Sequence, residues 1–267
     1  MQKPAPPMDV KLMNATASVL FLGALVLGMV GLVKWVARQP LFAIGGIAVV
    51  GDVAHNNEVT LRANLNGKIK GTFFTVDLAA TKAAFESVPW VRKAVVRREF
   101  PNRLKVVLQE QQAVAYWGDE DESRLLNNFG EVFEANVDEV ERDDLPHLDG
   151  PVAQAGQILG MYQTLSPLFA PLDMALDQLT LTNRGGWRAQ TNAGGEIELG
   201  RGTTEEITQR AQRFIGTVAQ VATAYGRTAD ALERADLRYG EGYALRLRGV
   251  TTVATPVATP KKKQAEH

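Results

Sequence analysis

The chain is 267 residues long, with 45% hydrophobic residues, 22% charged residues and a net charge of −1. Such a length fits one or two domains, and the composition excludes a wholly disordered chain and a multi-pass membrane protein. No cysteine is present, which excludes disulfides and thiolate-held zinc or iron–sulfur centres, and His55, His147 and His267 are too scattered for a histidine metal site. The charge is uneven. Residues 40–113 carry 10 Lys+Arg against 6 Asp+Glu, net +4, whereas residues 114–250 carry 12 against 22, net −10. A sign change between halves points to two modules with different surfaces, and the weak positive excess of the first is not an argument for nucleic acid.

Residues 15–33 carry no charge. As a helix they span ~28 Å, close to the ~30 Å hydrocarbon core of a bilayer. Lys11 precedes the run, and Lys34, Trp35 and Arg38 follow it, side chains suited to the interface. A signal peptide would have a shorter apolar core, and a cut after Ala37 would put bulky Trp35 at −3. A soluble core helix would show a polar face. The run is therefore expected to be a membrane anchor. Lys3, Lys11 and the terminal amine, offset by Asp9, oppose Lys34 and Arg38, so charge by itself barely chooses an orientation.

Beyond the anchor, residues 44–50 are apolar and β-branched and end at a Gly51-Asp52 turn, which predicts a strand. Asn57 is placed to cap a short helix, Glu58–Leu65. Asp77 precedes a second helix over 78–87, with Leu78, Ala79 and Phe85 inward, and Pro89 ends it. A strand over 90–99, a turn at Phe100-Pro101-Asn102-Arg103 and a strand through Leu104, Val106 and Leu108 complete a β-α-α-β-β module. Arg92 and Arg98 face one way on this hairpin and Lys93 and Arg97 the other. Without a single basic stripe or interleaved aromatics, they read as solvated charges that protect an edge.

The second module opens with a strand over 112–117 and an acidic turn, then a hairpin around Asn128-Phe129. Eleven carboxylates lie between Asp119 and Asp144 against two arginines. Asp119, Asp121 and Ser123 fit the start of a calcium loop, but Arg124 stands where the turn needs glycine and Gly130 where the bidentate glutamate belongs. A solvated acidic rim is expected instead. His147 reads as a turn residue. A helix follows over 153–168, with Ile158, Leu159, Tyr162 and Leu165 on one side, then strands over 177–181, 187–191 and 196–199. Gly200-Arg201-Gly202-Thr203-Thr204 lacks the lysine and spacing of a phosphate loop. Thr203 and Glu206 form a capping-box pattern for a helix over 205–222, with Ile207, Phe214, Ile215, Val218 and Val221 inward.

The last hairpin is expected over 235–239 and 243–247, joined by Gly240-Glu241-Gly242, with Tyr243, Leu245 and Leu247 opposite Arg246 and Arg248. If its final strand is a sheet edge, its free N–H and C=O groups can accept a partner strand. Arg238 then meets a partner carboxylate or an internal one; the sequence leaves both open. Tyr239 offers apolar area with a polar tip. From Thr251 on, proline, threonine and Lys261–Lys263 predict a disordered tail.

Enzyme motifs are absent: no nucleophile elbow, no triad histidine, no metal-ligand spacing. The pairs Asp143/Asp144 and Glu205/Glu206 sit in an acidic loop and a helix start, where solvation and the helix dipole explain them. No catalytic residue, cofactor or metal is expected.

The anchor, followed by a module closing in Pro89-Trp90-Val91-Arg92, Val96-Arg97-Arg98, Pro101, Leu104, Val106, Leu108 and Glu110, resembles the FtsQ/DivIB family of bacterial division proteins. Asp236-Leu237-Arg238-Tyr239 resembles that family's C-terminal signature, and the likeness covers roughly residues 15–247. The resemblance implies an α+β fold: a single transmembrane helix over 15–37 after a cytoplasmic tail 1–14, then a POTRA (β-α-α-β-β) domain over 40–113. A mixed α/β "β domain" over 114–250, with a mostly antiparallel sheet, and a disordered tail 251–267 complete it. It implies a non-enzymatic scaffold of the division complex in the inner membrane of a Gram-negative bacterium. FtsB and FtsL, as the FtsB–FtsL complex, would be recruited by strand addition at the C-terminal edge, other division proteins through the POTRA domain, and lipid through residues 15–37, with no nucleic acid partner. The partner-binding residues implied are Arg201, Arg238, Tyr239, Gly240, Glu241, Gly242, Tyr243 and Leu245. A periplasmic POTRA-type docking protein with other partners is the alternative.

Overall fold

A computed structural model describes residues 8–118, 124–140, 145–240 and 242–250. Asp119, Asp121, Ser123, the Asp143/Asp144 pair, Glu241 and everything from Thr251 lie outside these residues. The chain divides into two compact units, Met1–Gln111 and Gln112–His267.

The first unit begins with α1 (Met8–Ala37), which contains the charge-free run and is long and apolar enough to cross a membrane. Its leucines, valines and phenylalanine are exposed. The charge-free stretch over residues 15–33 is apolar on every side, which is consistent with a helix that crosses a membrane once.

The rest of the unit is β1 (Gly46–Gly51), α2 (Glu58–Leu65), α3 (Leu78–Glu86), β2 (Val91–Glu99) and β3 (Arg103–Glu110). The sheet order is β1-β3-β2, with β1 parallel to β3 and β2 antiparallel to it. Both helices start on side-chain caps. Thr60 N donates to Asn57 Oδ1 at 2.9 Å, and the N–H groups of Ala79 and Ala80 donate to Asp77 Oδ1 at 2.8 and 3.0 Å. The core is Leu61 and Leu65 of α2 and Phe85 and Val88 at the end of α3, set against Ala94, Val106 and Leu108 of the sheet.

Three sequence expectations are corrected in this unit. Thr81 and Phe85 are the buried residues of α3, while Ala79 is exposed. Counted from the Asp77 cap, the inward stripe runs through 78, 81, 85 and 88, and 79 turns away from it. Trp90 does not open the strand: its φ is 68°, a left-handed conformation outside the β region, and β2 starts at Val91, although the Trp90 carbonyl still accepts from Gln111 N at 2.7 Å. It is held instead by burial and by a parallel stack on His55, ring centroids 4.0 Å apart. Arg98 is not merely solvated. Its Nε donates to Phe73 O at 2.7 Å and its guanidinium reaches Val76 O at 2.8 Å, closing the loop before α3.

Glu110 also has a structural task. Its buried carboxylate accepts from the N–H groups of His55 and Asn56 at 3.0 and 2.8 Å and from Asn56 Nδ2 at 2.9 Å. The final residue of β3 thereby pins the turn that leads into α2.

The second unit comprises β4 (Ala113–Trp117), β5 (Arg124–Asn127), β6 (Val132–Glu134), β7 (His147–Asp149), α4 (Ala155–Phe169), β8 (Leu176–Leu181), β9 (Trp187–Thr191), β10 (Glu196–Gly200), α5 (Thr204–Ala224), β11 (Leu232–Asp236) and β12 (Ala244–Leu247). They form one nine-stranded sheet in the order β12-β11-β10-β9-β8-β7-β4-β5-β6. The pairs β4–β7, β7–β8 and β10–β11 are parallel and the other five are antiparallel, giving the mixed, mostly antiparallel sheet. His147 is not a turn residue: it lies in β7, with its ring stacked on Tyr116.

Helices α4 and α5 pack on the sheet around one core that includes Trp117, Leu148, Ile158, Leu165, Trp187 and Phe214. Helix α4 buries Ile158, Leu159 and Leu165 as the periodicity predicts, while Tyr162 is half-buried. Helix α5 buries Ile207, Ala211, Phe214, Val218 and Ala222. That stripe of three- and four-residue steps leaves Ile215 and Val221 half-buried on its flanks, where the sequence placed them inward. The capping box is complete: Glu206 N donates to Thr203 Oγ1 at 3.3 Å, and Thr203 N donates to Glu206 Oε2 at 2.9 Å.

Candidate partner-binding edge

Strand β12 is the border of the nine-stranded sheet; among the described residues no strand lies beyond it. It pairs antiparallel with β11 through Asp236↔Ala244, Ala235↔Leu245, Arg234↔Arg246 and Leu232↔Leu247. In an antiparallel strand alternate residues direct their N–H and C=O groups to opposite sides. Half of the β12 main-chain groups therefore point away from β11. Leu247 is buried and Leu245 half-buried against the core, while Ala244 and Arg246 are exposed. The strand thus fixes itself by one face and leaves its border open.

Arg238 and Tyr239 do not lie on a strand, contrary to the sequence expectation. Strand β11 ends at Asp236. Leu237 stays buried and its N–H donates to Glu198 O at 2.9 Å, but the next N–H, of Arg238, donates to Asp236 Oδ1 at 3.1 Å. An aspartate that captures the amide two residues ahead closes a turn, and the ladder stops there. The same carboxylate takes the Arg238 guanidinium, with Nε to Oδ1 at 2.9 Å and an Nη to Oδ2 at 2.6 Å. Of the two partners left open by the sequence, the internal one is present. That hydrogen bond holds the Asp236 pKa below its ordinary value and raises that of Arg238. The Arg238 side chain nevertheless remains 59% exposed, and Tyr239 is 58% exposed with no partner among the described contacts.

The other expected residues fall into two groups. Arg201 and Gly240 join Arg238 and Tyr239 on the exposed side. Gly200 has φ 82°, and a Cβ there would sit 2.8 Å from Arg238 Cγ, so only glycine lets the arginine stem cross the end of β10 beside Arg201. Tyr243 turns inward: its ring meets Phe214 edge-on at 5.1 Å and its hydroxyl lies 2.8 Å from Thr217 Oγ1. Leu245 also packs on the core, so Tyr243 and Leu245 support the border from beneath and do not present side chains at it. Gly242 is half-buried, and Glu241 is outside the described residues.

Two residues that the sequence reading missed hold this loop. Arg213 donates to Gly240 O at 2.5 Å, and Arg210 donates to Leu199 O at 3.1 Å and Arg201 O at 2.7 Å. Their signal was available, since 210, 213 and 217 share one flank of α5 beside its buried stripe. What it braces is set by the fold: α5 lies along the end of β10 and the β11–β12 loop. Together these groups make an arginine-rich shelf with an exposed tyrosine, next to an open strand border. Such a surface is suited to an extended acidic or amphipathic segment that adds a strand.

A family model described as "Cell division protein FtsQ/DivIB, C-terminal" matches residues 115–238, which includes Arg201 and Arg238 and stops before Tyr239. A model described as "POTRA domain, FtsQ-type" matches residues 42–111. Among similar curated proteins, each named Cell division protein FtsQ, that of Burkholderia pseudomallei is 37% identical over 244 residues, 91% of this chain and 94% of its own. That of Thiomonas arsenitoxydans is 36% identical over 250 residues, 91% and 89% of the two chains. That of Bordetella pertussis is 35% identical over 257 residues, 90% and 92%. With an apolar N-terminal helix, a POTRA unit and the matching C-terminal unit in this order, the chain belongs to the FtsQ/DivIB family of bacterial cell division proteins.

Proposed function

We propose that the chain is a non-enzymatic, membrane-anchored scaffold of the division complex that recruits FtsB–FtsL by strand addition at β12 and links early to late division proteins. Its N-terminus lies in the cytoplasm, α1 spans the inner membrane once, and both units work in the periplasm at the septum. The observation that carries this reading is the open border of β12 beside exposed Arg238 and Tyr239. A partner strand gains main-chain hydrogen bonds there, Tyr239 supplies apolar contact area, and the arginines select acidic side chains. The POTRA unit is assigned to other division proteins. A docking protein with different partners is the second reading.

The test uses the full chain in nanodiscs with the purified FtsB–FtsL complex. Tyr239→Ala and Arg238→Glu are expected to weaken capture about ten-fold or more, the loss of an anchor worth ~1.4 kcal/mol or more. Circular dichroism should be unchanged, because neither side chain is in the core. Full-strength capture by both folded variants would overturn the assignment of the edge.

A further inference from the structure

We propose that the first unit makes a second contact with lipid: an apolar rim of Leu41 and the aromatic rings of Phe42, Phe74 and Phe100 rests in the interface of the bilayer that α1 crosses. The inference rests on the reading of α1 as membrane-spanning.

Only residues 38–45 separate α1 from β1, and the junction is tied down. Thr72 Oγ1 donates to Ala37 O at 2.6 Å, and Phe73 N donates to Phe42 O at 2.8 Å. Gly45 N donates to Asn102 O at 2.8 Å, and β1 pairs with β3 from Gly46↔Arg103 onward. The β2–β3 turn that carries Phe100 therefore lies at the end of the sheet where the chain arrives from the membrane.

The rings connect. Phe42 meets Phe74 at 5.1 Å, Phe74 meets Phe73 at 5.2 Å, and Phe73 meets Phe100 at 6.5 Å, all edge-on. Phe73 is buried and roots the cluster, whereas Phe74 is 52%, Phe100 83% and Leu41 86% exposed. Phe42 and Phe74 line one apolar cleft with Leu32, Val33, Val36 and Ala37 of α1. The patch is thus continuous with the helix surface that faces hydrocarbon, and this continuity makes lipid its occupant. Exposed aromatics flanked by cations are the usual composition of the membrane interface, and Lys34, Arg38 and Arg103 are exposed around this rim.

The absence of cysteine makes single-cysteine spin labelling clean. The full chain would be labelled at Leu41, Phe74 or Phe100 and reconstituted in vesicles of phosphatidylethanolamine and phosphatidylglycerol. A label at Leu22, within α1, is the immersed reference. A label at Val59, in α2 beyond the far end of β1, is the aqueous one. Power saturation with oxygen and a nickel chelate is expected to give labels 41, 74 and 100 an oxygen-to-nickel accessibility ratio several-fold above that at 59 and below that at 22. A label at Ala43, directly after Leu41 and Phe42, should share that excess in the otherwise unchanged chain and lose it in the triple variant Leu41→Ser, Phe74→Ser, Phe100→Ser. Ratios equal to that at 59, with 22 immersed, would overturn the rim and leave the anchor standing. Exclusion of both reagents at 41, 74 and 100 would mean that protein covers the patch, and would also overturn it. A water-like ratio at 22 would overturn the anchor and the rim together.

Discussion

Asp236 performs two tasks with one carboxylate: it ends β11 by capturing the Arg238 amide and it holds the Arg238 guanidinium. Its folded pKa lies below the unfolded value of about 3.9. The stability it contributes is therefore fully present above that value and disappears as pH falls through the folded pKa. Asp236→Asn should lower the melting temperature near neutral pH, and the gap to the parent chain should close in strong acid; melting curves at both extremes check this. The internal pair orients the guanidinium without burying it, and in the proposed role a partner carboxylate would compete with Asp236 for it. Gly200→Ala tests the same shelf from below. The added methyl meets the Arg238 stem and a backbone at φ 82° at once, so weaker FtsB–FtsL capture is expected, read by the nanodisc assay.

Elements are positioned by polar groups at their ends as much as by their apolar faces. The capping box sets the first turn of α5, and Arg210 and Arg213, further along that helix, hold the Arg201 turn and Gly240. Thr203→Ala should cost about 1 kcal/mol in denaturant unfolding, with Thr203→Ser recovering most of it. In the first unit Glu110 plays the corresponding part for α2. Glu110→Ala leaves the buried N–H groups of Asn56 without an acceptor and should destabilise the turn by about 3 kcal/mol. Faster amide hydrogen exchange over residues 53–66 is the measurement. Strand β12 is short, four residues, which limits indiscriminate edge pairing; in the proposed role selectivity would fall to the side chains beside it.

At the scale of the whole molecule, one apolar rod and two units with separate cores are joined in a single chain. Nothing in the proposed role needs turnover; it needs confinement. In that role, tethering to the bilayer would raise the effective concentration of the proposed binding edge for other anchored proteins without any added contact. Replacing Met8–Ala37 with an unrelated spanning helix should preserve partner capture in nanodiscs. Deleting it should leave the affinity of the freed chain unchanged in solution while abolishing enrichment on vesicles, as flotation would show.

The sequence by itself determined the local features. The apolar run, the caps at Asn57, Asp77 and Thr203, the valine content of β2 and the alternation of β3 act over a few residues, and each is legible where it stands. The family likeness, carried by motif residues such as Trp90, Glu110 and Arg238, was legible too, but what those residues do was not. Trp90 stands outside the strand, Glu110 holds a turn that lies 54 positions earlier, and Arg238 sits in a loop pinned by Asp236. The strand order, with β12 outermost and Tyr243 turned onto Phe214, was decided only by tertiary structure. The physical reason is range: caps and periodicity are settled between neighbours in the chain. Whether a strand is a border, or an arginine is already paired, depends on which distant segments fold against it.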